Sequence, residues 1–468
     1  MSTEELRFQD ATALTELVRR RQISPRELLQ TFAAAIERLN PVLNAFVALA
    51  LDRAEQEASE LERRLAAGED PGPLAGLPLG VKDLENVAGL PTTFGSRAFR
   101  ENVAAFDDVH VARLRAAGAI VVGKTNTPEF GHLPYTTNDL FGATRNPWDP
   151  ERTPGGSSGG SAAALASGMV PLVTASDGGG SIRIPACYTG LFGLKPTFGL
   201  VPIAPRTPLP WLDISCYGPL TRSVRDAALF LDVVAGPHPL DPTSIPRPVP
   251  SYVAAVAVRP ARLRIACSRT LGVTRLQREV ERAFDEAVRT LAELGHEVEE
   301  IPDTIAETGG WWPRMTGFQA LASLWDVYVA RGDEFTDRYR ATLDAAHDVA
   351  AVDFREFYTL RAQLVEWTAG LFERYDLLAT PTLPTEPFAA EGPIPTELDG
   401  QPFNAIAFTY PFNFTGHPAV SLPAGWTDGG LPCGLQLVAP RFREDLLLQV
   451  SREFEEARPW AHRLPPVR

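Results

Sequence analysis

The chain has 468 residues, 44% hydrophobic and 22% charged, the balance of a globular protein long enough to bury a large core without staples. Its formal net charge of −14 argues against nucleic acid or anionic lipid as the main partner. Cys187, Cys216, Cys267 and Cys433 form no CxxC pair and read as buried thiols of a reducing compartment.

The opening Met-Ser-Thr-Glu-Glu-Leu-Arg has neither a basic n-region nor an apolar h-region, and no apolar run reaches the ~18 residues of a membrane span. The expectation is a cytoplasmic protein with no membrane contact. Residues 1–70 read as helical. Ser24-Pro25-Arg26-Glu27 has the form of a capping box with Pro at the first helical position, and Leu28, Leu29, Phe32, Ala33 and Ile36 follow at helical spacing. From residue 77 short apolar strands alternate with helices. Strands are predicted at 79–82, 119–122, 171–175, 263–266, 297–301 and 376–380. Helices are predicted at 109–117, 161–167, 223–235 and 276–294. The Pro-rich stretch at 237–260 reads as a surface excursion, and 305–373 as mostly helical. Such alternation predicts an α/β sheet with helices on both faces.

Between Thr153 and Pro196 two Gly/Ser-rich turns bracket a helix and a strand. The first is Gly155-Gly-Ser157-Ser-Gly-Gly-Ser161; the second is Asp177-Gly-Gly-Gly-Ser181-Ile-Arg-Ile-Pro185. Flexible linkers do not alternate with patterned core elements, so glycine this dense implies backbone approaching something closely. Two motif matches fail on context. Gly118-Ala-Ile-Val-Val-Gly123-Lys-Thr125 fits the P-loop pattern, but its middle residues are themselves a strand and Asn126-Thr-Pro128 follows where a helix should start. Gly155-Gly-Ser157-Ser-Gly159 fits G-x-S-x-G, but the preceding Asn146 to Pro154 is no strand, so it is no nucleophile elbow.

The stretch resembles the serine- and glycine-rich signature of the amidase signature family. Supporting segments are Gly80-Val-Lys82-Asp, Gly218-Pro-Leu-Thr-Arg-Ser223, Asp376-Leu-Leu-Ala-Thr-Pro381 and Asn413-Phe-Thr-Gly416. The resemblance implies an α/β fold with a large mixed β-sheet of roughly ten strands covered by α-helices on both faces. It implies an amide hydrolase acting on carbon–nitrogen bonds other than peptide bonds, through an acyl-enzyme. Ser181 matches the family's nucleophile, Ser157 the bridging serine after a cis peptide bond, and Lys82 the base. One departure is Gly178, where the glutamine-dependent transamidating members carry Thr after the Asp. This weakens the alternative reading, the catalytic subunit of a transamidating complex.

These residue types suit the chemistry. A serine hydroxyl needs a base, and burial lowers a lysine pKa by disfavouring its charged form. The N–H groups of Gly178, Gly179, Gly180 and Ser181 are placed to meet a developing oxyanion. Ser158, Asp177 and Arg183 read as supports of the loop. Phe130, Tyr135, Trp311, Trp312 and Met315 are pocket-wall candidates, with core packing at least as good an account of them. The seven histidines show no ligand spacing, so no metal and no cofactor is expected.

The chain is expected to be one amidase domain over 1–468. Within it lie a helical segment at 1–70, the signature-containing core at 75–235, the Pro-rich excursion at 236–262 and a helical region lining the substrate pocket at 305–373. The expected partner is a small-molecule amide, and the expected state is a monomer or homodimer.

Overall fold

A computed structural model describes residues 2–204, 213–302 and 304–468. Thirteen strands are present among them: β1 Phe46–Leu49, β2 Pro78–Lys82, β3 Ile120–Thr125, β4 Leu172–Asp177, β5 Phe192–Lys195, β6 Cys216–Thr221, β7 Arg264–Cys267, β8 Glu297–Glu300, β9 Leu377–Pro381, β10 Glu397–Leu398, β11 Gln401–Pro402, β12 Ala419–Trp426 and β13 Pro432–Val438. Eleven form one mixed sheet in the order β1-β3-β2-β4-β6-β5-β12-β13-β9-β7-β8, while β10 and β11 pair separately. The expected large mixed sheet is therefore observed, with eleven strands.

The strands near the site are parallel, β3 with β2 and β2 with β4. Both β2 and β3 are buried along their whole length. This explains why they read as near-continuous apolar runs rather than as alternation. The side chains of these strands divide between two cores. Leu79, Val81, Val121 and Leu172 join one cluster with helices Ala11–Arg19, Val109–Ala116, Val224–Val234 and Glu444–Ala457. Ile120, Val122, Val173 and Ala175 join the other with helices Leu51–Ala66 and Gly159–Ala166. Helices thus cover both faces.

Local chemistry sets several boundaries. Ser24 accepts from Glu27 N–H and Glu27 reciprocates, so the capping box starts helix Pro25–Leu43. Ser223 caps Val224–Val234 through Asp226 N–H. The Pro-rich stretch is anchored rather than free, because the short helix Tyr252–Val256 buries Tyr252 and Val256 in the core. Helices Trp311–Arg331, Asp337–His347 and Phe354–Phe372 occupy the region expected to be helical. No helix among the described residues is long and apolar enough to cross a membrane.

Candidate active site

The site lies where β2 and β4 end side by side, at their carboxyl ends. Backbone pairing between them covers Leu79–Leu172 and Gly80–Val173. Beyond it, the Lys82 N–H donates to Thr174 Oγ1 at 2.9 Å instead of to a backbone carbonyl. A side chain thus closes the ladder at the strand ends. The carboxyl ends of parallel strands are a favoured ligand position in such sheets.

Lys82 is fully buried. Its Nζ donates to three hydroxyls: Ser157 Oγ at 2.7 Å, Ser158 Oγ at 2.8 Å and Ser176 Oγ at 3.0 Å. Burial pulls its pKa from the ordinary 10.5 to about 7, against the opposing charges of Glu85 and Asp177. Ser157 follows a cis peptide bond from Gly156. A Cβ on Gly156 would lie 2.6 Å from Tyr135 N and 2.8 Å from Leu133 O, so only glycine fits this turn. Ser158 precedes helix Gly159–Ala166 without capping it; its hydroxyl is engaged by Lys82 and lies 3.3 Å from Ser176 O.

Ser181 sits on the loop between β4 and helix Arg183–Thr189, 7% exposed. Its hydroxyl makes no hydrogen bond among the described residues, and neither do the N–H groups of Gly178, Gly179 and Ser181. The Gly180 N–H is already bound to Asp177 Oδ1 at 2.7 Å, which separates it from the other candidate oxyanion donors.

Asp177 organises the loop. Besides Gly180, it accepts from Ile182 N–H at 3.2 Å and from Arg183 Nε at 3.0 Å. Arg183 also donates to Thr409 O, Gln436 Oε1 and Asn413 Oδ1, and Asn413 Nδ2 returns to Asp177. Burial alone would raise the Asp177 pKa, but the Arg183 charge overrides it and holds the carboxyl at about 2. A buried ion pair persists when its remaining donors and acceptors are all met, and here they are met from two distant chain segments.

Of the pocket candidates, Trp312 reaches the loop: a Cβ on Gly179 would lie 2.7 Å from its Nε1. Tyr135 contributes backbone against Gly156, while its ring packs on Phe388. Phe130 is stacked on Tyr339 and Phe94 in an aromatic cluster. Its neighbour Gly131 faces Ser157 Oγ. Trp311 and Met315 pack in a core cluster with Phe357. Trp311 also borders a groove of about 820 Å³ beside Thr342 and Val349. Sequence reading missed Ser176 and the network residues Thr409 and Gln436. The alternation of β4 holds the signal for Ser176, because Thr174 and Ser176 share a face.

A model of the amidase family, described as Amidase, matches residues 27–448. The chain is 37% identical to the acylamidase of Rhodococcus erythropolis, over 99% of this chain and 98% of that one. It is 34% identical to a component of the glutamyl-tRNA(Gln) amidotransferase of a Cyanothece species, over 95% of this chain and 97% of that one. Among solved structures, a bacterial aryl acylamidase of the amidase signature enzymes superposes with a TM-score of 0.91 at 34% identity, covering 97% of each chain.

Proposed function

The chain belongs to the amidase signature family, and from that premise we propose that it hydrolyses a small carboxylic amide through Ser181, Ser157 and Lys82 by way of an acyl-enzyme. The observation that carries this reading is the fully buried Lys82 amine held by three serine hydroxyls. An ammonium has three donors and meets three acceptors there. A neutral amine has two donors and one lone pair, and a hydroxyl can turn to donate to it. The nest therefore serves both protonation states, which a base requires.

In the reaction, Ser181 Oγ attacks the amide carbonyl as its proton passes to Ser157, whose own proton passes to neutral Lys82. The oxyanion forms toward the unengaged N–H groups of Gly178, Gly179 and Ser181. The proton returns along the same path to the leaving amine, and the C–N bond breaks. Water then attacks the Ser181 ester, and the acid departs. Trp312, against Gly179, is the side chain placed to meet the acyl group. The four cysteines stand as free, buried thiols, which supports a reducing, cytoplasmic setting.

Labelling with a fluorophosphonate probe, followed by peptide mapping, tests the assignment. The probe should modify Ser181 alone, and Ser181→Ala should remove both label and turnover. Modification of Ser157 instead would reverse the roles. The purified chain should hydrolyse aryl amides on its own. Silence until partner proteins are supplied would favour the transamidating reading, which the 34% relative represents.

A further inference from the structure

Next to the base lies a buried acid–imidazole pair that the reaction steps above do not use. The Glu85 N–H donates to Lys82 O at 2.9 Å, so a tight turn follows β2 and keeps Glu85 beside the strand end. Glu85 and His110 are both buried, and His110 Nε2 lies 2.9 Å from Glu85 Oε2. The His110 ring stacks on Tyr217 with ring centroids 4.0 Å apart. Tyr217 stands opposite Ser176 in the β4–β6 register, and Ser176 Oγ accepts from Lys82 Nζ. The contacts thus run in a closed circuit from Lys82 through Glu85, His110, Tyr217 and Ser176 back to Lys82.

The bonds of the pair fix where its charge lies. Among the described residues neither His110 Nδ1 nor Glu85 Oε1 has a hydrogen-bond partner. A second ring proton would be a buried, charged N–H without an acceptor, a costly arrangement. It would also sit in the first turn of helix Val109–Ala116, whose positive end disfavours a cation. A single ring proton, on Nε2, donates to Glu85 and leaves the carboxylate its charge.

We propose that Glu85 and His110 are positioning residues for the base, with the Glu85 carboxylate as the counter-charge of the ammonium that forms when Lys82 takes the Ser181 proton through Ser157. The inference rests on the role proposed for Lys82 above. No proton moves on Glu85 or His110 in this step; the Lys82 amine gains one, and the carboxylate offsets the positive charge so made in a buried place. The other charged groups around the pair are already committed. Asp83 lies 3.3 Å from Lys124 Nζ, and Asp177 lies 2.9 Å from Arg183 Nη2. Asp108 accepts from the backbone and side-chain N–H groups of Asn86, and burial lifts its pKa to about 6. Burial also pushes the Tyr217 phenol well above its ordinary value, so that group is neutral. Glu85 is left as the carboxylate with no Lys or Arg in contact among the described residues, and its charge opposes the effect of burial on Lys82.

The kcat/KM of the full chain on an aryl amide, measured against pH, tests the proposal. Glu85→Gln keeps the shape and an acceptor for His110 but removes the charge. The ammonium then lacks its counter-charge, and Lys82 gives up its proton at lower pH. The acid limb should move down by about one pH unit, the low end of what an opposite charge supplies. His110→Phe leaves the buried Glu85 carboxylate without a donor, so it takes up a proton and the limb should move the same way. The double variant should move no further than either alone. His110→Gln supplies a side-chain N–H again and should leave the limb where it is in the unaltered chain. Should His110→Phe fail to fold by circular dichroism, Glu85→Gln and His110→Gln decide the question. A limb that stays in place or rises in Glu85→Gln overturns the proposal, as do additive shifts in the double variant. Loss of the limb in His110→Gln would assign it to the imidazole and overturn the proposal as well. A different outcome, Lys82→Ala with its amide hydrolysis intact, would remove the base itself and the proposal with it.

Discussion

Two lysines close neighbouring parallel strands, and both are fully buried. The register pairs Val81 with Lys124 and Lys82 with Thr125, so the two amines leave opposite faces of the sheet. On the Lys82 face the groups are hydroxyls: Ser157, Ser158 and Ser176 around the amine, and Thr125 bonded to Ser161 beside them. On the Lys124 face they are mostly pure acceptors. Its Nζ donates to Glu85 O at 2.7 Å, Pro91 O at 3.0 Å and Thr92 Oγ1 at 2.9 Å, and lies 3.3 Å from the Asp83 carboxylate. Burial lowers both amines, and at Lys124 the Asp83 charge opposes the fall. What separates them is the kind of partner. A hydroxyl accepts from an ammonium and donates to an amine, whereas a carbonyl or carboxylate is left unpaired when the proton leaves. The first surrounding makes a base; the second makes a brace.

The sharpest way to break this contrast is to truncate each lysine. Lys82→Ala should cut amide hydrolysis by about 10²–10⁴-fold, the usual worth of general acid–base help. It should hurt a nitrophenyl ester less, because that leaving group departs without a proton. Stability in urea should hold or rise, since no carboxylate depends on Lys82. An active Lys82→Ala variant would end its role as the base.

Lys124→Met should do the reverse. Stripping the cation from a buried Asp83 should cost about 3–5 kcal/mol of stability, read from urea denaturation. Hydrolysis by the folded fraction should be nearly unchanged. Adding Asp83→Asn should recover part of the loss. A stable but inactive Lys124→Met variant would erase the distinction between base and brace.

This contrast is only half legible in the sequence. The Gly/Ser signature locates Ser157 and Ser181, and the strand ending at Lys82 is predicted at 79–82. Lys124 belongs to the failed P-loop match, rejected because its neighbours form a strand, and β3 does run from Ile120 through Thr125. Its bond to Asp83, however, depends on which strands are neighbours. The middle of the sheet escapes sequence reading for a physical reason. Strands β5, β6, β12 and β13 carry Gly193, Gly218, Pro219, Pro423, Gly425 and Gly434, which read as turns in a single sequence. In the fold, such a glycine marks close approach: a Cβ on Gly193 would lie 2.7 Å from the Ala186 Cβ of the helix that follows Ser181. Asn413, Thr409 and Gln436 reach Arg183 only across that unseen part of the sheet. Ser176 is lost differently, because the predicted strand stops at Ala175, whereas β4 continues to Asp177.

The smallest effect gives the finest test, through Ser176. Its oxygen accepts one of the three N–H bonds of Lys82 and thereby favours the charged amine. Ser176→Ala removes that acceptor, so the ammonium is destabilised and the Lys82 pKa falls below about 7. Hydrolysis requires the neutral amine and is lost as pH falls through this pKa. The acid limb of the kcat/KM profile should therefore move to lower pH, not higher. A hydrogen bond to a charged group is worth about 1.5–3 kcal/mol and one pKa unit about 1.4 kcal/mol. Ser176 is only partly buried, so water can replace some of the lost bond, and the expected shift is about one pH unit. The alkaline plateau should change little, because the proton path through Ser157 is intact. Ser176→Thr keeps the hydroxyl and should keep the limb in place, and Lys124→Met, on the other face, should not move it. A limb that stays fixed in Ser176→Ala would mean that the third hydroxyl does not tune the base, and one that rises would mean that Ser176 donates to a neutral Lys82 rather than accepting from a charged one.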